Sequence, residues 1–192
     1  MAVSTTLQLM TEHGLDVKKG WFDMASLDFS ASLDSSVTDD VPRGRVVYVN
    51  SAGNFVPGIS NTGVAIFLLN GSSDADVSNP GTTAAGNFMH QAVAPTGKLS
   101  GLVATGGYEI ASTEFITSDT VGGVTTTRAY APGELLTADT TGLLTNKKVA
   151  DINTAVAQYT DPVVGVVSSG AGANHNGIQS LSFWSVYLPG AA

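Results

Sequence analysis

Two segments of the chain follow the same pattern, and that pattern is typical of a β-hairpin. In each, a proline lies just before a glycine, a short apolar stretch follows, and a second glycine comes nine positions after the first. The segments are Val41–Pro57 and Tyr130–Thr145, and their paired glycines are Gly44 with Gly53 and Gly133 with Gly142. Each second glycine closes an Asn/Asp-x-x-Gly turn, which needs a residue that tolerates positive φ. The sequence therefore predicts two hairpins of one design.

Each predicted hairpin is followed by another apolar strand. The first of these is Val64–Leu69 and the second is Val163–Val167. Two copies do not make a solenoid, which needs at least three repeats to bury its faces. We interpret 41–192 as one β-rich domain, and the repeat raises the alternative of two related β units, 41–128 and 129–192.

The rest of this domain has the composition of strands and turns. Gly, Thr, Ser and Val dominate, and these residues suit strands and turns better than helix interiors. Further strands are predicted at Lys98–Ala104, at Tyr108–Ser112 and within Val121–Thr127. The apolar residues of Asn146–Tyr159 fall at helical spacing, which predicts a short helix. The predicted fold is all-β, a compact antiparallel sandwich or small barrel with at most one short helix.

Residues 1–40 differ from the rest and are predicted to form an extended N-terminal arm. Leu27, Phe29, Ala31 and Leu33 alternate with polar residues, which is the period of a half-buried strand. The acidic stretch Ser35–Asp40 is interpreted as a linker. The strand of the arm has two possible partners, its own domain or a neighbouring chain.

Charge and cysteine content exclude several classes of function. The chain has 8 basic and 16 acidic residues, a net charge of −8, and charged residues make up 12% against roughly 25% in typical domains. An acidic surface repels phosphate, so nucleic acid and anionic membranes are not expected partners. No apolar run approaches the roughly 18 residues of a membrane helix. Without cysteine there is no disulfide and no thiolate chemistry.

No constellation of residues predicts catalysis, a cofactor or a metal. The three histidines, His13, His90 and His175, are far apart and lack metal-ligand spacing. The loop around Asp74 and Asp76 faintly resembles a calcium loop, but Ala85 stands where an EF-hand needs glutamate. Nucleotide-binding and nucleophile-elbow motifs are missing. We therefore predict that the protein is not an enzyme.

Aromatic residues supply the candidate contact sites. Aromatic pairs usually belong to a core, but Trp and Tyr are also enriched in interfaces. In the C-terminal strand, Leu181, Phe183 and Tyr187 are predicted to face one way, and Trp184, Val186 and Leu188 the other. The residues predicted to contact a partner are Trp21, Phe22, Leu27 and Phe29 in the arm, and Trp184 and Tyr187 in the C-terminal strand.

The second hairpin and its return strand resemble a known family. Pro132–Thr145, followed by Val163–Val167, is similar to the pattern of tailed-bacteriophage capsid decoration (cement) proteins. The resemblance covers roughly a third of the chain, and its motif is short and degenerate. The first hairpin departs from the pattern, since Arg43 separates its proline from its glycine. The resemblance implies a β-tulip-like domain with an N-terminal arm, and it implies no catalytic residues.

By this resemblance, the expected function is that of a virion structural protein on the outer capsid surface. Its partners would be the major capsid protein, which it would brace, and further copies of itself in a dimer or trimer. Three other hypotheses stay open. They are a tail or fibre protein, which would assemble without a capsid, a carbohydrate-binding module that stacks sugars on Trp21 or Trp184, and an enzyme with dispersed catalytic residues.

Overall fold

The computed structural model describes a chain of β-strands joined by tight turns. The described residues are 15–19, 28–39, 41–69, 99–121, 123–146, 152–153, 158–159, 161–173 and 179–190. The strands are β1 (Leu15–Lys19), β2 (Asp28–Ala31), β3 (Val46–Val49), β4 (Phe55–Pro57), β5 (Ala65–Leu68), β6 (Leu99–Val103), β7 (Glu109–Ser112), β8 (Ser118–Val121), β9 (Val124–Thr127), β10 (Leu135–Ala138), β11 (Leu144–Asn146), β12 (Ile152–Asn153), β13 (Gln158–Tyr159), β14 (Val163–Ala173) and β15 (Gln179–Leu188). These residues contain no helix, so the predicted all-β class is confirmed.

The strands form two large antiparallel sheets and two small ribbons. The six-stranded sheet has the order β1-β7-β15-β14-β10-β11, and the five-stranded sheet has the order β2-β6-β5-β3-β4. The pairs β8–β9 and β12–β13 form separate two-stranded ribbons. The arrangement is that of an antiparallel sandwich, as predicted.

The two large sheets repeat one arrangement of strands. In each, a hairpin lies at one edge (β3–β4 or β10–β11), its return strand follows (β5 or β14), and two further strands come next (β6 and β2, or β15 and β7). The six-stranded sheet has β1 in addition, beyond β7. The pairing is equivalent too, since Val46 lies opposite Phe67 in one sheet and Leu135 opposite Val166 in the other. We call 28–103 unit 1 and 109–188 unit 2. Each unit therefore begins with the strand of its large sheet that precedes the hairpin in the chain, β2 in unit 1 and β7 in unit 2.

Glycine fixes the hairpin turns at the predicted positions. The φ angles of Gly44, Gly53, Gly133 and Gly142 are 92°, 82°, 90° and 84°, in the left-handed region that favours glycine. In both hairpins the first turn residue caps the loop with its own side chain. Oδ1 of Asn50 accepts two backbone amides at 3.0 Å, and Oδ1 of Asp139 accepts the equivalent two at 2.9 Å.

In each sheet a single isolated bridge joins the hairpin edge to the segment that follows β2 or β7. Leu33, which follows β2, bridges Phe55 of β4, and Phe115, which follows β7, bridges Leu144 of β11. Two backbone hydrogen bonds of 2.8 to 2.9 Å accompany each bridge. Because one bridge replaces a continuous ladder, each sheet is strongly curled but neither closes into a barrel.

The main core joins both sheets. It contains Phe67 and Leu102 from the five-stranded sheet and Leu136 and Phe183 from the six-stranded sheet. The Phe67 and Phe183 rings meet with centroids 5.4 Å apart. A second cluster lies within unit 1, around Phe55. Its members are Ala31, Val41, Val47, Phe55, Ile66, Leu68 and Leu99.

Small and large residues exchange places between the two units. In unit 1, Ile66 of the return strand occupies the space beside Gly101, where a Cβ would collide with the Ile66 side chain. In unit 2 the glycine is on the return strand, because a Cβ on Gly165 would lie 2.6 Å from the Phe183 ring. The same space is thus filled from the return strand in unit 1 and from the strand next to it in unit 2. The total side-chain volume at this place in the core is thereby kept.

The described strands of the N-terminal region pair within the same chain. β2 lies along β6 in the five-stranded sheet, and β1 lies along β7 in the six-stranded sheet. Of the two partners considered for the arm strand, its own domain is the one observed. The acidic stretch after β2 forms a turn, in which the Asp34 carboxylate accepts the Ser36 amide at 3.0 Å.

The predicted helix over Asn146–Tyr159 is wrong where this segment is described. Asn146 ends β11, and Ile152–Asn153 pairs with Gln158–Tyr159 as an antiparallel ribbon. Four apolar residues at helical spacing are weak support in so short a segment. All four, Val149, Ile152, Val156 and Tyr159, are β-branched or aromatic, and such residues favour strands.

Candidate binding surface

Few large apolar side chains are exposed in the described strands and turns, and two of the four lie on β15. They are Trp184 (38% exposed) and Leu188 (39%) on β15, Val64 (46%) before β5, and Val124 (64%) on β9. Leu181 and Phe183 are fully buried while Trp184 and Leu188 are exposed. The predicted two faces of this strand are therefore a core face and an outer face.

Trp184 belongs to an apolar row that crosses three strands of the six-stranded sheet. It lies opposite Val166 of β14, and Val166 lies opposite Leu135 of β10. Side chains opposite each other on neighbouring strands lie on the same face. Leu135 and Val166 are half-buried and Trp184 is exposed. We call Leu135, Val166 and Trp184 the outer row.

A carboxylate borders the outer row. Glu109 of β7 lies opposite Trp184 on the other side of β15. Its side chain is buried, and its Oε1 accepts a hydrogen bond of 2.7 Å from the Ser168 hydroxyl. The indole thus lies between an aliphatic neighbour and a buried carboxylate that is engaged within the fold. The exposed indole is therefore the part of this surface that a partner can contact.

Tyr187, also predicted as a contact residue, has an internal role. Its ring packs against the main core, and its hydroxyl donates a 2.7 Å hydrogen bond to the Gly63 carbonyl. Burial raises the pKa of this hydroxyl. Tyr187 thus ties β15 of unit 2 to the turn that precedes β5 of unit 1.

The arm residues predicted as contacts are only partly described. Phe29 lies in β2, where it pairs with Gly101 of β6. Trp21, Phe22 and Leu27 lie outside the described residues, as do the three histidines and the loop of Asp74 and Asp76.

An ion pair that the sequence did not reveal joins the two units. Arg45, just before β3, donates through Nε to Glu114 of unit 2 at 2.5 Å and through Nη1 to the Thr141 carbonyl at 2.9 Å. The Val46 amide donates to the Gly142 carbonyl at 2.9 Å beside it. The turn of the second hairpin is thereby held against the first strand of the first hairpin.

A second arginine holds the β8–β9 ribbon onto unit 2. Arg128 forms a two-pronged pair with Asp119, at 2.9 and 2.6 Å, and it also donates to Thr145 and to Asn146 of β11 at 2.6 Å. The Arg128 side chain is mostly buried. Planar, two-pronged pairing of this kind adds geometric specificity as well as energy. No local sequence motif could have revealed either arginine, because the partners are 9 to 96 residues away.

The polar side chains of these clusters hold turns and strands in place. Two donors from Ser36 and one from Asn50 keep the pKa of Asp34 below its usual value. Burial raises the pKa of Tyr130 to about 12, and its hydroxyl donates to the Ile116 carbonyl at 2.7 Å. Within the described ranges, no three carboxylate or histidine side chains come together as a metal site would need.

Comparisons with known proteins assign the chain to no family. No family model matches the chain, no curated protein matches it, and no solved structure matches it. Across the described strands and turns, no helix is long and apolar enough to cross a membrane.

Proposed function

We propose that the chain is a capsid decoration protein, which binds the outer surface of a major capsid protein lattice and stabilises the head. The observation that carries the proposal is the position of the outer row. Leu135 and Val166 belong to the hairpin and return strand that carry the resemblance to decoration proteins, and Trp184 extends the row onto β15. The outer row therefore includes two half-buried residues of the segments that resemble the family, with the exposed Trp184 beside them.

The physical requirements of such a role support the proposal. A decoration protein needs an apolar contact face on a rigid support, because ordering a mobile face on binding would cost affinity. β10, β14 and β15 are neighbours in one sheet, and their inner side chains lie in the main core. Individually modest contacts suffice, since many copies bind one lattice. The net charge of −8 disfavours the packaged DNA as an alternative partner.

The proposal is tested by binding to capsids from which this protein has been stripped. Saturable co-sedimentation at a fixed ratio to the major capsid protein is expected, together with raised heat resistance of the capsid. Trp184→Lys places a charge at the centre of the contact and should weaken binding by about tenfold or more, as loss of a hot-spot residue does. Val64→Lys is the matched control, because it makes the same kind of change at an exposed apolar residue elsewhere. Equal binding by both variants, or no binding by the unmodified chain, contradicts the proposal.

A second candidate is a carbohydrate-binding module that uses Trp184 as a stacking platform. The exposed indole favours it, since the apolar face of a sugar ring can stack on an exposed aromatic ring. It predicts quenching of tryptophan fluorescence by a glycan, with loss of the effect in Trp184→Lys. Quenching without capsid binding would favour this candidate over decoration.

A further inference from the structure

The β8–β9 ribbon is present in unit 2 and has no described equivalent in unit 1. The segments that follow β2 and β7 match at their bridges, where the Asp34 amide donates to Phe55 and the Ile116 amide donates to Leu144. In unit 1, residues 34–45 lie between the bridge and β3, and their described part contains turns and no strand. Unit 2 instead forms β8 and β9 before it reaches β10. The ribbon is therefore an addition to an arrangement that folds without it.

The added ribbon is fixed in position although most of its surface is exposed. All four residues of β9 are exposed, including Val124. At its base, Arg128 links Asp119 of β8 to Thr145 and Asn146 of β11. An isolated two-stranded ribbon is only marginally stable in water. A fixed, exposed ribbon is suited to pairing with a further strand.

The outer edge of β9 has the features of a pairing edge. Val121 lies opposite Val124, and Asp119 lies opposite Thr126. The Arg128 amide donates to the Thr117 carbonyl at 2.9 Å, which sets the alternation of hydrogen-bonded pairs along the ribbon. The amides and carbonyls of Thr125 and Thr127 therefore point away from β8. No other strand in the described part of the chain pairs with this edge.

β9 also lacks the usual devices that prevent edge pairing. Natural edge strands are protected by lysine, proline, bulges or inward charges. β9 is Val-Thr-Thr-Thr, which contains neither charge nor proline. The one charged residue of the ribbon strands, Asp119, is engaged by Arg128.

We propose that β9 is a self-association edge, along which a second copy of this chain pairs antiparallel to form a four-stranded sheet across a two-fold axis. With the axis at Thr126, Thr125 of one copy lies opposite Thr127 of the other. The two residues then exchange hydrogen bonds through the backbone amides and carbonyls that point away from β8. Such an isologous contact, with one patch used twice, is the commonest form of protein dimer.

A second copy is favoured over another protein because β9 is complementary to itself. Threonine pairs across neighbouring strands are favourable, and the ribbon already contains one, in which the Thr120 and Thr125 hydroxyls are 2.9 Å apart. A net charge of −8 opposes self-association over most of the surface, whereas β9 is neutral. The contact is small, so the dimer is weak in solution and is strengthened wherever copies are held close together.

Charge pairing at the proposed contact tests the inference on the purified chain alone, independently of any capsid. Thr125→Lys/Thr127→Lys and Thr125→Glu/Thr127→Glu each place like charges opposite one another across the axis. Either double variant should dimerise about tenfold more weakly than the unmodified chain in sedimentation velocity. An equimolar mixture of the two should recover dimers, because opposite charges then face each other. Ser118→Lys on β8 is the control and should dimerise normally.

Amide hydrogen exchange gives a local readout of the same contact. The Thr125 and Thr127 amides should exchange more slowly as protein concentration rises, and the double variants should lose this dependence. The inference is overturned if wild-type exchange at these amides is independent of concentration. It is also overturned if each double variant by itself dimerises as tightly as the unmodified chain, and if mixing the Lys and Glu variants does not strengthen dimerisation. If the ribbon variants lose capsid binding while the unmodified chain stays monomeric, the edge pairs with the lattice protein instead, and self-association is wrong.

Discussion

At the scale of single residues, Gly142 is fixed by two independent constraints. Its φ angle of 84° is left-handed, and a Cβ at this position would collide with the backbone carbonyl of Val46. Gly53 occupies the equivalent place in the first hairpin with a φ of 82°, but nothing lies within 4 Å of its Cβ position. The internal repeat thus provides a matched pair of glycines that differ in only one of the two constraints.

We predict that Gly142→Ala destabilises the protein more than Gly53→Ala. Both substitutions carry the left-handed penalty of about 1 to 2 kcal/mol. Gly142→Ala adds overpacking of about 1 to 3 kcal/mol, because Val46 is held by its own strand and cannot easily yield. Urea unfolding of the two variants measures the difference. Equal losses would mean that the second hairpin turn does not pack tightly against β3.

Tyr130 makes stability depend on alkaline pH. Burial raises its pKa from 10.0 to about 12, so the folded state holds the phenolic proton more tightly than the unfolded state does. The resulting stabilisation is complete below pH 10 and is lost as the pH rises toward 12.

Replacing Tyr130 tests this pH dependence. At neutral pH, Tyr130→Phe should cost about 1 kcal/mol, because the hydrogen bond to Ile116 is lost. The free energies of unfolding of the two proteins should converge between pH 10 and 12, since only the tyrosine titrates. Urea unfolding at several pH values and constant ionic strength measures the gap. A gap that stays constant would show that the Tyr130 pKa is not raised.

At the scale of elements, Arg128 decides whether the β8–β9 ribbon stays ordered. Arg128→Lys keeps the charge but loses the two-pronged geometry with Asp119 and at least one of the bonds to β11. We expect a loss of about 1 to 3 kcal/mol in stability, as for hydrogen bonds to charged groups. Faster amide exchange should be concentrated in β8 and β9.

Thr120→Val is the control for this experiment. It removes the exposed hydroxyl contact with Thr125 and leaves the anchor intact, so it should change stability little. A uniform loss of protection over the whole molecule in Arg128→Lys would mean that the arginine supports the core rather than the ribbon.

Elements whose signals are local were predictable from the sequence. Both hairpins and their positive-φ glycines are where the Pro–Gly and Asn/Asp-x-x-Gly spacing places them, and the return strands Ala65–Leu68 and Val163–Ala173 follow. The pairing order was not predictable, because residues that pair between β7 and β15 lie about 70 positions apart in the chain. The residues between β11 and β14 were wrongly assigned to a helix because a short apolar period fits helix and strand alike.

The candidate site was predictable only in part, for the same reason. Trp184 stood out as an aromatic residue on a strand with two apolar faces, and it is exposed. Its neighbours Val166 and Leu135 could not be named in advance, because the register that aligns β15, β14 and β10 depends on the whole sheet. Tyr187 has the same sequence signal as Trp184, but its hydroxyl is bonded to Gly63, which only the tertiary structure reveals.

At the scale of the whole molecule, two similar units share one core. The Phe67–Phe183 contact, the Arg45–Glu114 pair and the packing of Gly142 on Val46 all cross between the units. Tandem units joined only by a linker would unfold separately. Here the inner residues of each unit complete the core of the other, so a single cooperative transition is expected.

This expectation is tested most strictly by Phe55→Ala, a change confined to the second cluster. Every member of that cluster belongs to unit 1, and none belongs to the six-stranded sheet. Removing a buried phenyl ring should cost about 3 to 5 kcal/mol. If the units unfold together, the slowest-exchanging amides of β14 and β15 lose as much protection as those of β3 and β5, although no contact of theirs has changed.

The reciprocal variant Leu181→Ala, in the six-stranded sheet, should likewise lower the protection of both sheets. Exposed Val124 gives the control, since Val124→Ala removes a side chain that contributes little to either core. Native-state hydrogen exchange followed residue by residue measures all three variants. Loss of protection that stops at the boundary between the units would show that each folds alone. The shared core would then be a docking contact between two finished domains, and the stability of the outer row would not depend on unit 1.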